Sequence, residues 1–161
     1  MNSWERVVKA MEISTPDRVP LYEMHIPPII GSRILGKPAD SILIHNPEAV
    51  YSLMLENSLD VDRINEHMAG ELLLLHRITG IDWIRVVSAY AAKPKILKKL
   101  GKHIWMINGR RYKWTGETLW DMDEPVSYDP DELIEICRSS TVEVNPKIFD
   151  ILRYLVKEVG G

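Results

Sequence analysis

Two prolines, Pro16 and Pro20, restrict what the beginning of this chain can fold into. They belong to residues 15–20, Thr-Pro-Asp-Arg-Val-Pro, which lie between an amphipathic segment and an apolar run. Proline interrupts a helix because it lacks an N–H donor and clashes with the preceding turn. Asn2 followed by Glu5 is typical of a capping box. The sequence therefore predicts a helix over residues 3–12 and, after the prolines, a buried strand over residues 19–25.

A second strand is predicted after a long helix. Residues 62–79 carry an apolar stripe at helical spacing, Gly80 follows, and residues 81–87 are rich in β-branched and aromatic side chains. This order of helix, glycine and strand is typical of α/β proteins. Shorter helices are predicted over residues 29–35, from Pro47, over residues 130–138 and over residues 146–159, three of them because Asn-Pro or Asp-Pro marks a helix start.

The segment from residue 93 to residue 114 changes character. The lysines of residues 93–102 are expected on a solvated helix face, although such a run can also attract an anionic partner. Residues 103–114 form two short runs around Asn108-Gly109, a pair that favours a type I′ turn, so a β-hairpin is predicted. Aromatic side chains gather there, and they form either cross-strand packing or a platform for a ligand. These are Trp105, Tyr112, Trp114 and Trp120.

Charge and cysteine content exclude several classes of function. The net charge is −3 and the pI about 6.0, with cations and anions interleaved, so no nucleic-acid partner is expected. The single cysteine, Cys137, excludes an internal disulfide and a multi-thiolate metal site, and we expect it to be a buried apolar residue. The longest aliphatic run, residues 72–75, is too short to cross a bilayer, so no membrane partner and a cytoplasmic location are expected.

Three motifs together resemble the uroporphyrinogen decarboxylase superfamily, which includes the corrinoid-dependent methyltransferases. They are Trp-Glu-Arg-Val-Val at residues 4–8, Pro-Asp-Arg-Val-Pro at residues 16–20 and Gly-Ile-Asp at residues 80–82. The resemblance implies an α/β fold: the N-terminal part of a TIM-barrel-like (β/α)8 fold, incomplete, with an inserted β-hairpin near residues 103–114. Such a barrel needs roughly 250 residues. We therefore interpret residues 1–161 as a single partial domain.

Two departures distinguish the branches of this superfamily. True decarboxylases carry an arginine-rich segment after the first strand, whereas this chain has no arginine between Arg18 and Arg33. Where the decarboxylases have Ser-Asp after the second strand, this chain has Ser88-Ala89. Both departures favour the methyltransferase branch.

The resemblance also implies cofactors and partners. The complete methyltransferases use zinc, held by a His-x-Cys pair and a later cysteine of the second half of the barrel, together with a methylcorrinoid. We expect this chain to bind no cofactor and to be inactive alone. It is expected to form a homo-oligomer or to join a second chain that completes the barrel, and a corrinoid protein is a further possible partner. The alternatives are a non-catalytic truncated paralogue, acting as an oligomeric interaction protein, and a divergent decarboxylase of tetrapyrrole biosynthesis.

Four candidate ligand-binding residues lie at the ends of the predicted strands. Glu23 and His25 are two residues apart and project to the same side of a strand. They form either an acid/base or metal-binding pair, or a polar strand end. Ser88 and Tyr90 follow the second strand, where their hydroxyls serve either a ligand or ordinary loop hydrogen bonds.

Arg85 is the fifth candidate, because it lies within an apolar strand. A buried guanidinium needs a partner, so Arg85 is expected to meet Asp82 or Glu23 or to face the cleft. Asp17 and Arg18 are expected to pair with each other or to cap nearby backbone, which makes their motif structural before it is functional.

Overall fold

The computed structural model describes residues 1–23, 25–85, 89–125, 127, 129–139 and 144–159. Together they have a mixed α/β architecture, which confirms the predicted class at that level. The α-helices are α1 (Ser3–Met11), α2 (Pro28–Leu35), α3 (Pro47–Glu56), α4 (Val61–Thr79), α5 (Pro130–Ser139) and α6 (Asp150–Val159). The strands are β1 (Tyr22–Glu23), β2 (Trp83–Ile84), β3 (Leu97–Gly101), β4 (Ile104–Ile107), β5 (Arg110–Trp114) and β6 (Leu119–Asp121).

Local capping signals fix most of the helix ends. Asn2 and Glu5 form the predicted capping box at the start of α1, each side chain accepting a hydrogen bond from the other residue's N–H. Asn46 caps α3 by accepting the Ala49 N–H at 3.2 Å. Gly36 and Gly80 end α2 and α4 with φ of 65° and 66°, which glycine adopts without steric cost.

β1 and β2 form a parallel pair, with Tyr22 opposite Trp83 and Glu23 opposite Ile84. They lie within the strands predicted over residues 19–25 and 81–87, but each spans only two residues. The prediction that the first strand is buried was wrong, because both Tyr22 and Glu23 are exposed. Residues 24 and 86–88 lie outside the described part of the chain. Parallel strands require a long crossover connection, which α2, α3 and α4 provide here.

A four-stranded antiparallel sheet in the order β3-β4-β5-β6 contains the predicted hairpin. Asn108 and Gly109 join β4 to β5 with φ of 50° and 91°, as a type I′ turn requires. The prediction of a lysine-rich helix was wrong, because residues 97–101 form β3 instead. Lys98 lies opposite Met106 and Lys99 opposite Trp105, so pairing with β4 overrides the local charge pattern.

The hydrophobic core lies between α3, α4, α6 and one face of this sheet. Its centre includes Ile44, Ile64, Trp105 and Ile151, all with no exposed surface.

The helix predicted over residues 146–159 begins as a 3₁₀ turn, Pro146–Phe149, and continues as α6. The prediction of a buried cysteine was wrong, because Cys137 is exposed on α5. Among the described residues, no helix combines the length and apolar character needed to span a membrane.

Candidate functional site

An ion-pair network fastens the amino ends of β1 and β2 to each other. Asp82, which precedes β2, has a fully buried side chain and pairs with Arg6 and Arg18. Its Oδ2 atom accepts the N–H of Leu21, the residue before β1, at 3.0 Å. Arg6 reaches from α1 and also binds Asp17, with 2.6 Å between Nε and Oδ1. All three motifs that carry the family resemblance therefore meet in this network.

The network confirms one of the two alternatives expected of Asp17 and Arg18, contact with nearby backbone, and adds other ionic partners. The Arg18 N–H does donate to Asp17, but the principal ionic partners are Arg6 for Asp17 and Asp82 for Arg18. Burial disfavours the charged form of Asp82, yet the hydrogen bonds from Leu21, Ser3 and both arginines lower its pKa to about 2. The carboxylate is thus charged at neutral pH and acts as a structural clamp.

A cleft opens beside the β1–β2 pair and contains two of the predicted residues. Glu23 and Arg85 line it, and buried Ile44, Leu72 and Leu75 contribute apolar surface. The space open to water is about 30 Å³, enough for roughly two water molecules. The remaining lining residues are Ile26, His45, His76, Ile81 and Trp83.

His45 belongs to this cleft, although nothing in its sequence spacing indicated a role. Burial, with help from the nearby His25 and Arg85, lowers the pKa of His45 to about 4. Its ring meets that of His25 edge-on, with 4.4 Å between the centroids. His45 is therefore a neutral imidazole at pH 7. The sequence does not predict this position, because it depends on the fold of residues 42–46, which Glu71 of α4 holds in place.

The other predicted residues are distributed differently. Among the candidates, His25 touches His45 but lines a neighbouring depression with Tyr22 and Pro27. Ser88 lies outside the described residues. Tyr90 packs its ring against Tyr51 in the core, where burial raises its pKa.

No protein-family model, curated protein or solved structure matches this chain. The chemistry of the cleft is therefore inferred from its own residues. Arg85 supplies a permanent cation for a carboxylate or phosphate group, and Glu23 supplies a carboxylate on the same cleft. Apolar Ile44 and Leu75 favour a ligand with a small hydrocarbon part. The cleft thus places one positive and one negative group beside apolar surface, with room for only a small group.

Proposed function

We propose that this chain supplies the first two strands of a uroporphyrinogen decarboxylase-like (β/α)8 barrel of the corrinoid-dependent methyltransferase type. The cleft lined by Glu23 and Arg85 is its share of the substrate site. The observation that supports this most is the parallel β1–β2 pair, whose two strands are the first two that the motifs predict. In such barrels the amino ends of the strands serve stability and the carboxyl ends carry the chemistry.

The positions of the structural and candidate substrate-binding side chains along β1 and β2 fit that arrangement. The Asp82 network lies before both strands, whereas Glu23 ends β1 and Arg85 directly follows β2. Ala89 supports the methyltransferase branch over the decarboxylase branch. Its side chain is buried and its N–H donates to the Ile148 carbonyl at 3.1 Å, so it serves packing where decarboxylases place an acid.

The donor set of this chain does not fit the family's zinc. Within the described residues, no three His, Cys, Asp or Glu side chains lie close enough to hold a metal. The one thiol of the sequence, Cys137, is exposed on α5. We infer that the zinc ligands and the later strands belong to a companion segment, and that this chain alone does not transfer methyl groups.

The test begins with the companion segment. We expect a companion segment that carries the later barrel strands and a His-x-Cys pair, on the same polypeptide or on a separate one. The chain and this segment together, but neither alone, should transfer a methyl group from methylcob(III)alamin to a thiol, followed by corrinoid absorbance. Absence of such a segment, or full transfer by this chain alone, contradicts the proposal.

The contribution of the cleft is tested by matched arginine variants. Arg85→Met in the assembled enzyme should raise KM or lower kcat by about tenfold or more, since a charged substrate contact is lost. Arg33→Met, an exposed arginine on α2, should leave both unchanged. Equal kinetics of the two variants would remove Arg85 from the substrate site.

A second candidate function is that of a non-catalytic oligomeric interaction protein. Tyr22 and Trp83 favour it: they lie opposite each other on β1 and β2, about half exposed, with 5.6 Å between ring centroids. Exposed aromatic pairs beside unpaired strand edges are typical of docking surfaces. In this case Trp83→Ala should dissociate an oligomer, as measured by light scattering. A monomer at all concentrations contradicts this second function.

A further inference from the structure

The four-stranded sheet has a second face, turned away from the core, whose side chains are set by the strand register. One row across the strands is Lys98, Met106 and Arg111, and the next is Ile104, Lys113 and Trp120. Partners directly opposite in an antiparallel sheet lie on the same face. Buried Trp105 alternates with these residues and points to the core side. We call these two rows the outer face.

The outer face combines apolar surface with positive charge. Trp120 is 66% exposed, and Ile104 and Met106 are partly exposed. Arg111 pairs with Asp123, at 2.7 Å between Nε and Oδ1. Lys98 and Lys113 have no ion-pair partner among the described residues. An uncovered surface of this kind is typical of an interface for an amphipathic, acidic partner.

Helix α5 has the complementary character. Every one of its residues is exposed. At 100° per residue, four apolar side chains fall within an arc of about 160°, and the three carboxylates occupy the remaining surface. The apolar residues are Leu133, Ile134, Ile136 and Cys137, and the acidic ones are Asp131, Glu132 and Glu135.

We propose that α5 of one copy of this chain packs on the outer face of a second copy, and that the exchange is reciprocal. Apolar Leu133 and Ile134 cover Trp120 and Met106, and the α5 carboxylates approach the free lysines. The occupant is a second copy because α5 is exposed along its whole length and carries the apolar and acidic side chains that complement the outer face. A reciprocal exchange uses one pair of surfaces twice and closes as a two-fold dimer.

This inference is independent of the proposed barrel function. It concerns the antiparallel sheet and α5, whereas the barrel proposal concerns β1, β2 and the Arg85 cleft. The two are separated by different variants. Loss of the dimer on Trp83→Ala alone would assign it to the β1–β2 surface and overturn the present inference, with the barrel proposal untouched.

Sedimentation equilibrium of the full chain provides the first test. Trp120→Ala should weaken the dimer about tenfold or more, since an exposed tryptophan anchor is lost. Trp4→Ala removes a tryptophan on α1 that is 75% exposed, and it should leave the dimer unchanged. Leu133→Ala on α5 should also weaken it, whereas Leu152→Ala, similarly exposed on α6, should not.

Cross-linking provides the second test, because Cys137 is the only cysteine. A benzophenone maleimide on Cys137, mixed with an isotope-labelled copy, should insert into β4, β5 or β6 of the other copy. A monomer at every soluble concentration, cross-links only within one copy, or equal effects of Trp120→Ala and Trp4→Ala would each overturn the proposal. A monomer whose Trp120 fluorescence is quenched by a single-stranded oligonucleotide would also overturn it, and would assign the face to nucleic acid.

Discussion

Asp82 is the residue on which the arrangement of β1 and β2 depends most. Its buried carboxylate binds two arginines and the Leu21 N–H, so one side chain connects α1, the residue before β1 and the start of β2. Removing its charge leaves Arg6 and Arg18 without their shared counter-ion. Asp82→Asn should lower the free energy of unfolding by about 2–3 kcal/mol, measured by urea denaturation. Asp17→Asn, whose side chain is 44% exposed, is the control and should cost clearly less. Equal losses of unfolding free energy in the two variants would contradict the larger role assigned to Asp82.

His45 should make the protein less stable in mild acid. Its pKa is about 4 when folded and 6.5 when unfolded, so between these values the unfolded chain binds the proton first. Stability therefore falls as the pH drops from about 6.5 to 4. His45→Asn, which tolerates the residue's φ of 55°, should reduce this loss. The measurement is the urea midpoint at pH 7.5 and 4.5, and an unchanged difference between the two would contradict the assignment.

At the scale of elements, α4 organises the chain through two buried polar side chains. Asn65 pairs with the backbone of Tyr90, donating to its carbonyl and accepting its N–H, both at 2.9 Å. Glu71 accepts the N–H groups of Leu43 and Ile44 at 2.9 and 3.0 Å. These bonds hold two separate segments, at residues 43–44 and at Tyr90, against one helix.

Asn65→Ala tests this role of α4. It leaves the N–H and carbonyl of Tyr90 unpaired and should cost about 1–3 kcal/mol of unfolding free energy. Glu66→Ala, which removes an exposed pair with Arg63 on the same helix, should change stability by less than about 0.5 kcal/mol. Thermal unfolding followed by circular dichroism distinguishes them. An unchanged unfolding free energy in Asn65→Ala would mean that other contacts hold the backbone of Tyr90.

Elements with local signals were predictable from the sequence, and those with distant partners were not. Asn2, Asn46, Gly80 and the Asn108-Gly109 turn act on their own neighbours, so their residue types sufficed. β3 carries lysines, which are common on any exposed surface, and it is a strand because it pairs with β4. His45 likewise joined the cleft through contacts made by α4, far along the chain.

At the scale of the whole molecule, two sheets of different kinds occur in one chain. The antiparallel sheet packs against α3 through Trp105 and Tyr51, whose ring centroids are 5.9 Å apart, and belongs to the main core. The parallel β1–β2 pair is small and is secured chiefly by the Asp82 network at one end. The functional proposal depends on this pair, because parallel pairing is what brings Glu23 and Arg85 to one cleft.

The most direct test of this account is therefore the pairing of β1 with β2 in solution. Nuclear Overhauser spectroscopy on the isotope-labelled chain should give amide–Hα contacts with Tyr22 opposite Trp83, together with a hydrogen-bond coupling from the Asp82 N–H to the Leu21 carbonyl. Close Hα–Hα contacts, which mark antiparallel pairs, should be missing between these strands. Such Hα–Hα contacts, or no contacts between the two strands at all, would contradict the parallel pair and the barrel proposal with it.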